Sequence, residues 1–457
     1  MRYLTATTGY VFLWVATTFA FPVNDQLMQR APPIPPTDDP FYVPPTGLED
    51  SQPGAILRSR SIGALSFSGA VSFQVKAAYQ LLYRTTDSLG NASAAVTTII
   101  VPKNANASRV LSFQSATDAA WANCAPSYAI QLVSDNGGIG GTETLLVIAA
   151  LDQGWIVNLP DYEGLHAAFT SGLQAGRATL DSVRAALSSE DLTSISPQAE
   201  YQMWGYSGGS LASEWAAELQ PSYAPELSFK GAALGGLVPN ITSVLLSTNK
   251  SFFSGLIPAG IIGLTNAYPK FKEFVHEHVL PSKASGFYKA STQCFSNNTS
   301  TYLNQDISSY LDQEITTFLT GYPKEILDMT GQMGVYGTPK MPIFLYKAIE
   351  DQVSVIEDTD AVFSKLCSQG ANIEYVRDML GDHTSESITG AGDAFLFLID
   401  RFNGVAVKSG CTSSNVLTTL NPRAIAAMGT IVADALLALL QVPVGPWGIF
   451  GSWAAFA

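Results

Sequence analysis

Charge is scarce in this chain. Only 14% of its 457 residues are charged while 47% are hydrophobic, and the basic side is the weaker: 24 Lys and Arg against 38 Asp and Glu, a formal net charge of −14. The pI is near 4.7. So few cations argue against nucleic acid or an anionic membrane as a partner. Cysteine is limited to Cys124, Cys294, Cys367 and Cys411. Without Cys-x-x-Cys spacing or paired His beside them, a zinc site is not expected. Histidine is limited to four residues as well, which makes the search for a catalytic base short. The N-terminal apolar stretch, Tyr10 to Ala20, falls short of the ~20 residues that a membrane-spanning helix needs.

What is present at the ends points to export. Arg2, the apolar stretch and Thr18-Phe19-Ala20 have the charge, hydrophobicity and small-x-small cleavage pattern of a signal peptide over residues 1–20. Six Asn-x-Ser/Thr sequons, at Asn91, Asn106, Asn240, Asn249, Asn297 and Asn298, suit a secreted glycoprotein. Four cysteines in an exported chain allow two disulfides in three connectivities. Residues 21–54 include Ala31-Pro32-Pro33-Ile34-Pro35-Pro36 and read as an extended surface arm. The mean hydropathy of +0.17 implies either a large core or functional apolar surface.

Strand-like runs at Val71 to Val75, Ala78 to Thr85, Ala94 to Val101 and Val110 to Gln114 give way to alternating strands and helices. Strands are expected at Trp155 to Leu159, Tyr201 to Trp204 and Gly231 to Gly235, with helices at Glu143 to Leu151, Leu173 to Leu187 and Leu211 to Leu219. That alternation predicts an α/β fold with a mostly parallel sheet covered on both faces. The rhythm stops over residues 239–338, whose apolar helical pieces read as an inserted cap, and returns with strands Pro342 to Ala348 and Ile373 to Met379. The core is then 55–238 plus 339–412. Residues 413–457 form an apolar tail, read either as a flap over the site or as a helix packed on the body.

The most informative motif is Gly205-Tyr206-Ser207-Gly208-Gly209, because a strand precedes it and an amphipathic helix follows. In an α/β-hydrolase this strand-turn-helix is the nucleophile elbow, with Gly205 and Gly209 allowing the bend that exposes Ser207. A Ser hydroxyl needs a base, and the base needs an acid to orient it. His166, His276 and His278 lie before the last strands or inside the insertion, whereas His383 directly follows strand Ile373 to Met379. Catalytic groups collect at such carboxyl ends. The acid belongs after the preceding strand, which offers Glu350 and Asp351; Asp351 is preferred and Glu350 is the fallback. The Gly208 N–H is the first oxyanion donor. The second belongs to the loop Ser115 to Trp121, which has no His-Gly-Gly-Gly motif, and these residues alone do not identify it.

Four stretches together carry a resemblance: Asp118 with Asn123-Cys124-Ala125-Pro126-Ser127-Tyr128; Asp161-Tyr162-Glu163-Gly164 with Ala167-Ala168-Phe169; the elbow; and Ala348 to Val353 leading to His383-Thr384-Ser385-Glu386. Over roughly residues 40–412 the chain resembles the fungal secretory lipase family, the Candida antarctica lipase A-like α/β-hydrolases. The resemblance implies a triad at Ser207, Asp351 and His383, an oxyanion hole at Asp118 and Gly208, and disulfides Cys124–Cys294 and Cys367–Cys411. Tyr162 stands where the family pattern has His. The expectation is a secreted, monomeric carboxylic-ester hydrolase, first of all a triacylglycerol lipase, acting on a lipid or ester substrate with access to an oil–water interface. It needs no metal or organic cofactor. A short-chain or metabolite (acetyl) esterase is the runner-up; acyl transfer and a non-catalytic hydrolase scaffold are more distant readings.

Overall fold

A computed structural model describes residues 32–134 and 140–441. The expected signal segment, the start of the arm and the end of the tail lie outside the described residues. Twelve strands occur among the described residues: β1 (Ile56–Ser61), β2 (Leu65–Phe67), β3 (Val71–Phe73), β4 (Ala77–Thr86), β5 (Ala92–Val101), β6 (Asn106–Gln114), β7 (Trp155–Pro160), β8 (Glu200–Tyr206), β9 (Ala232–Gly235), β10 (Ile343–Ala348), β11 (Ile373–Asp378) and β12 (Thr412–Val416). Ten form one sheet in the order β1-β4-β5-β7-β6-β8-β9-β10-β11-β12, and β2 pairs with β3 apart from it. From β7 to β12 every neighbour is parallel; β1, β4 and β5 extend the sheet antiparallel.

The parallel strands are apolar on both faces because helices cover both. In β10, Ile343 and Leu345 enter one core and Phe344 and Tyr346 the other, as a two-residue period requires. The first core includes helices Gly172–Leu187 and Gly208–Tyr223; the second includes Gly141–Asp152, Ala391–Phe402 and Thr430–Leu439.

Between β9 and β10, which pair directly, the chain leaves the sheet and returns beside its point of departure. The excursion contains helices Ile241–Thr248, Leu256–Ala267, Pro269–His278, Phe295–Tyr302 and Gly321–Thr330 and no strand. A disulfide joins Cys124, after β6, to Cys294 in this segment. A second joins Cys367, in helix Ile356–Ser368, to Cys411, next to β12. No helix among the described residues is long and apolar enough to cross a membrane.

Besides strand β1 (Ile56–Ser61), which the sequence reading did not expect, three features differ from that reading. The arm is more than a surface strap, since Tyr42 is buried beside Leu82, Ala94 and Val96 and its hydroxyl meets Ser127 Oγ at 2.7 Å. Thr412–Val416, placed mainly with the tail, is an edge strand of the sheet. The tail helix is interrupted at Gly429, φ +88°, and its second piece buries Val432 and Leu436 against helix Gly141–Asp152 in the second core. The described part of the tail therefore packs on the body.

The six sequons are unequal in this fold. Asn298 is 1% exposed, and Asn249 uses both side-chain atoms, donating to Asp306 and accepting from Ile307 N–H. Asn106 and Asn297 are exposed. A glycan on Asn298 has no route out of the folded chain, and one on Asn249 would displace the bond that its amide donates to Asp306. Peptide mapping after enzymatic deglycosylation in ¹⁸O water should find label at Asn106 and Asn297 and none at Asn249 or Asn298; label at Asn298 would contradict the packing of helix Phe295–Tyr302.

Candidate active site

β8 ends at Tyr206 and helix Gly208–Tyr223 begins two residues later, so Ser207 makes the whole turn. Its backbone has φ +52° and ψ −121°, a region that L-residues occupy only when their surroundings impose it. The surroundings are identifiable. A Cβ at residue 205 would overlap the carbonyl of Gly209, and a Cβ at residue 209 would overlap the carbonyl of Gln114 at the end of β6. The two outer glycines thus let the helix start press directly on its own strand and on the neighbouring one.

His383 stands at the first position of helix His383–Thr389, after β11. Asp382 and Ser385 close a reciprocal capping box there. The His383 carbonyl accepts from Tyr206 Oη–H at 2.6 Å, and its N–H donates to Gln352 Oε1 at 3.1 Å. These bonds aim the ring. Its Nε2 lies 2.8 Å from Ser207 Oγ and its Nδ1 lies 2.7 Å from Asp351 Oδ2. Asp351 follows β10 and is 5% exposed. Its Oδ1 accepts from the N–H groups of Val353 and Ser354, each at 2.9 Å, and its Oδ2 also accepts from Lys347 Nζ at 2.9 Å. Burial works to raise the Asp351 pKa, but the charges of His383 and Lys347 and these hydrogen bonds hold it well below the usual carboxylate range. Glu350 is not part of this chain of contacts; His166 is exposed, and His276 and His278 lie on the inserted helix Pro269–His278.

Asp118 comes from the loop after β6, with φ +48°. Its carboxyl presses on the helix start, so that a Cβ on residue 208 would overlap Asp118 Oδ1. The Gly208 N–H is one of the four that an α-helix leaves without an intrahelical acceptor. The loop itself is tethered: Ser115 Oγ and Ala116 N–H donate to Glu143 at 2.6 and 2.8 Å, and Tyr162 Oη–H donates to the Ser115 carbonyl at 2.8 Å. Tyr162, noted above only as a departure from a pattern, is thus a support for this loop.

Ser207, Gly208 and Asp118 open onto a pocket whose other walls are mostly apolar side chains, including Leu211 from the core and Leu245, Ile257, Ile261, Leu264 and Phe271 from the inserted segment. A concave, mostly apolar lining of this kind suits a small-molecule substrate. Among the described residues no cluster of three or more His, Cys, Asp or Glu could hold a metal ion.

The model of the family described as "Secretory lipase" matches residues 134–410. The chain belongs to this family. Lipase A of Arthroderma benhamiae is 43% identical over 98% of this chain and 97% of its own length. Lipase 5 of Candida albicans is 39% identical over 91% of each. In structure, Candida antarctica lipase A in its closed state aligns with a TM-score of 0.79 at 27% identity, covering 90% of this chain and 96% of that one. A rice cell wall degrading esterase from Xanthomonas oryzae shares the fold, with a TM-score of 0.59 at 16% identity over 77% of this chain and 98% of that one. The protein is a carboxylic-ester hydrolase with an α/β-hydrolase fold.

The most conspicuous site feature that sequence reasoning missed is Lys347, and a signal for it exists: a lysine inside the apolar strand Ile343-Phe344-Leu345-Tyr346-Lys347-Ala348. The other is the concentration of carboxyls with raised pKa values around the secretory lipase site. Burial pushes Asp118 up to about 6, against the opposing charge of His383. It pushes Glu143 and Asp161 up to about 7 despite their bonds to Ser115, Ala116 and Ser127, and Glu386 up to about 9.

In the unfolded chain these groups ionise near ~4. Between about pH 4 and 7 the folded protein therefore binds more protons than the unfolded one, and stability falls as pH rises. Below about 4 the sign reverses, because Asp351, Asp378 and Asp382 have lowered pKa values and lose their stabilising interactions on protonation. Thermal melting should accordingly show a higher Tm at pH 5 than at pH 8; a Tm that rises through that interval would contradict the burial of these carboxyls.

Proposed function

We propose that the protein is a secreted triacylglycerol lipase that works through an acyl-enzyme. Ser207 Oγ attacks the ester carbonyl while its proton passes to His383 Nε2, and Asp351 fixes the imidazole through Nδ1. The developing oxyanion is held at Gly208 and Asp118. His383 then protonates the departing alcohol. In the second half a water molecule gives its proton to His383 and attacks the acyl carbon, which releases the acid and restores Ser207.

The observation that carries this reading is a hydrogen-bonded Ser207–His383–Asp351 relay at 2.8 and 2.7 Å opening directly onto a pocket with mostly apolar walls. A serine placed so is a nucleophile with its base in hand, and the cavity supplies the acyl site. Each additional buried CH₂ contributes about 0.8 kcal/mol, so longer acyl chains are favoured. Export is supported by the signal-like N-terminus and the two disulfides, since such bonds persist in oxidising surroundings.

The inserted segment covers the site. Phe253 approaches the His383 ring edge-on at 6.3 Å between centroids, while Phe252 beside it is 58% exposed. Movement of this segment at an oil surface would open a path for long chains. Hydrolysis of p-nitrophenyl esters of increasing length should show an ester of eight or more carbons matching or exceeding the acetate, with clear activity on emulsified long-chain triglyceride. Good acetate hydrolysis with none on the emulsion would reject the lipase reading in favour of a short-chain esterase using the same relay.

A further inference from the structure

Lys347 has no counterpart in the reaction steps above, yet it touches the relay. It is the fifth residue of β10 and its side chain is fully buried. Burying an ammonium group is costly unless it is paired and hydrogen-bonded. Its Nζ donates to the Leu237 carbonyl at 2.8 Å and to Asp351 Oδ2 at 2.9 Å. That oxygen is the one that also accepts from His383 Nδ1, so the ammonium and the imidazole share a single acceptor atom. Ser354, whose N–H binds Asp351 Oδ1, donates its hydroxyl to the same Leu237 carbonyl at 3.0 Å. Leu237, just beyond β9 at the entry to the inserted segment, Lys347 in β10 and the Asp351 loop are thereby closed into one ring of bonds.

We propose that Lys347 is a positioning residue for the ester hydrolysis: it locks the Asp351 carboxylate against His383 and offsets part of its charge, which keeps His383 available as a base in acidic surroundings. The inference rests on Ser207, His383 and Asp351 acting as the catalytic relay. A carboxylate beside an imidazole favours the protonated ring, and a cation on the same carboxylate weakens that preference. The charged and titratable groups acting on the Lys347–Asp351 pair are His383, Asp358 at the start of the next helix, and Glu386 in the His383 helix. Tyr206 and Tyr375 also feel the Asp351 charge. Asp358 and Glu386 act on Lys347 after Asp351 itself, and Glu386 is uncharged at neutral pH because burial pushes it up to about 9.

Lys347→Met removes the charge and both bonds at similar volume, and Lys347→Gln keeps a donor without the charge. In both, the acid limb of the kcat/KM profile on a soluble ester should move up by about one pH unit. On the plateau kcat should fall about 10- to 100-fold with KM little changed, since Lys347 does not line the substrate cavity. If Lys347→Met fails to fold, Lys347→Gln decides. A folded variant whose Tm drops while its acid limb stays where the wild type's lies would overturn the proposal and leave Lys347 a purely structural ion pair. Ser207→Ala assayed in parallel separates the two layers: activity surviving in it would refute the relay itself, and Lys347 would then have nothing to position.

Discussion

The active region depends on one close approach, the contact of the Gly208–Tyr223 helix start with the ends of β6 and β8. Ser207 holds φ +52° and ψ −121° only because nothing larger than hydrogen separates Gly205 from Gly209 and Gly209 from Gln114. That contact lifts the hydroxyl above the sheet toward His383, points the free N–H of the helix start at the same place, and brings the β6 loop with Asp118 alongside. Strand order does the rest. β8 is central in the sheet, β10 and β11 follow two and three places along, and the residues leaving their carboxyl ends, Asp351 and His383, come within hydrogen-bond reach of each other and of Ser207.

Burial has opposite consequences for the carboxyls around this point, and the number and charge of the donors decide which. Asp351 receives two backbone N–H groups, an ammonium and an imidazole, which outweigh its desolvation and keep it ionised. Glu143 has a hydroxyl and one N–H, and Asp161 has the same from Ser127; with no cation beside them, desolvation prevails and they are pushed up to about 7. The acidic balance of the whole chain, −14, has a separate cause, its exposed acids.

Much of the frame was legible in the sequence because local pattern and environment agree. Parallel strands such as β7 and β10 are apolar runs interrupted by one polar residue each, Asn158 and Lys347, and the helices after them carry one apolar face. The elbow was readable because steric demand confines positions 205 and 209 to glycine. β12 was not, since Thr412–Val416 is an edge strand of largely exposed, polar residues with no apolar pattern to detect. β1 was missed for a related reason: Ile56–Ser61 mixes Arg and Ser with its apolar residues. At the site, the order of elements placed Ser207, Asp351 and His383 on successive loops, but the loop after β6 did not identify Asp118 by itself; that came from resemblance. Lys347 and Glu143 act through tertiary contacts with residues at the site, which periodicity cannot register.

The central claim is that the elbow makes Ser207 the nucleophile, and covalent capture tests it most directly. Incubation of the protein with a fluorophosphonate, followed by peptide mass spectrometry, should find one adduct per chain on the peptide carrying Gly205-Tyr206-Ser207-Gly208-Gly209, with esterase activity lost in proportion. An adduct on a different serine, or full labelling that leaves the activity intact, would contradict the account.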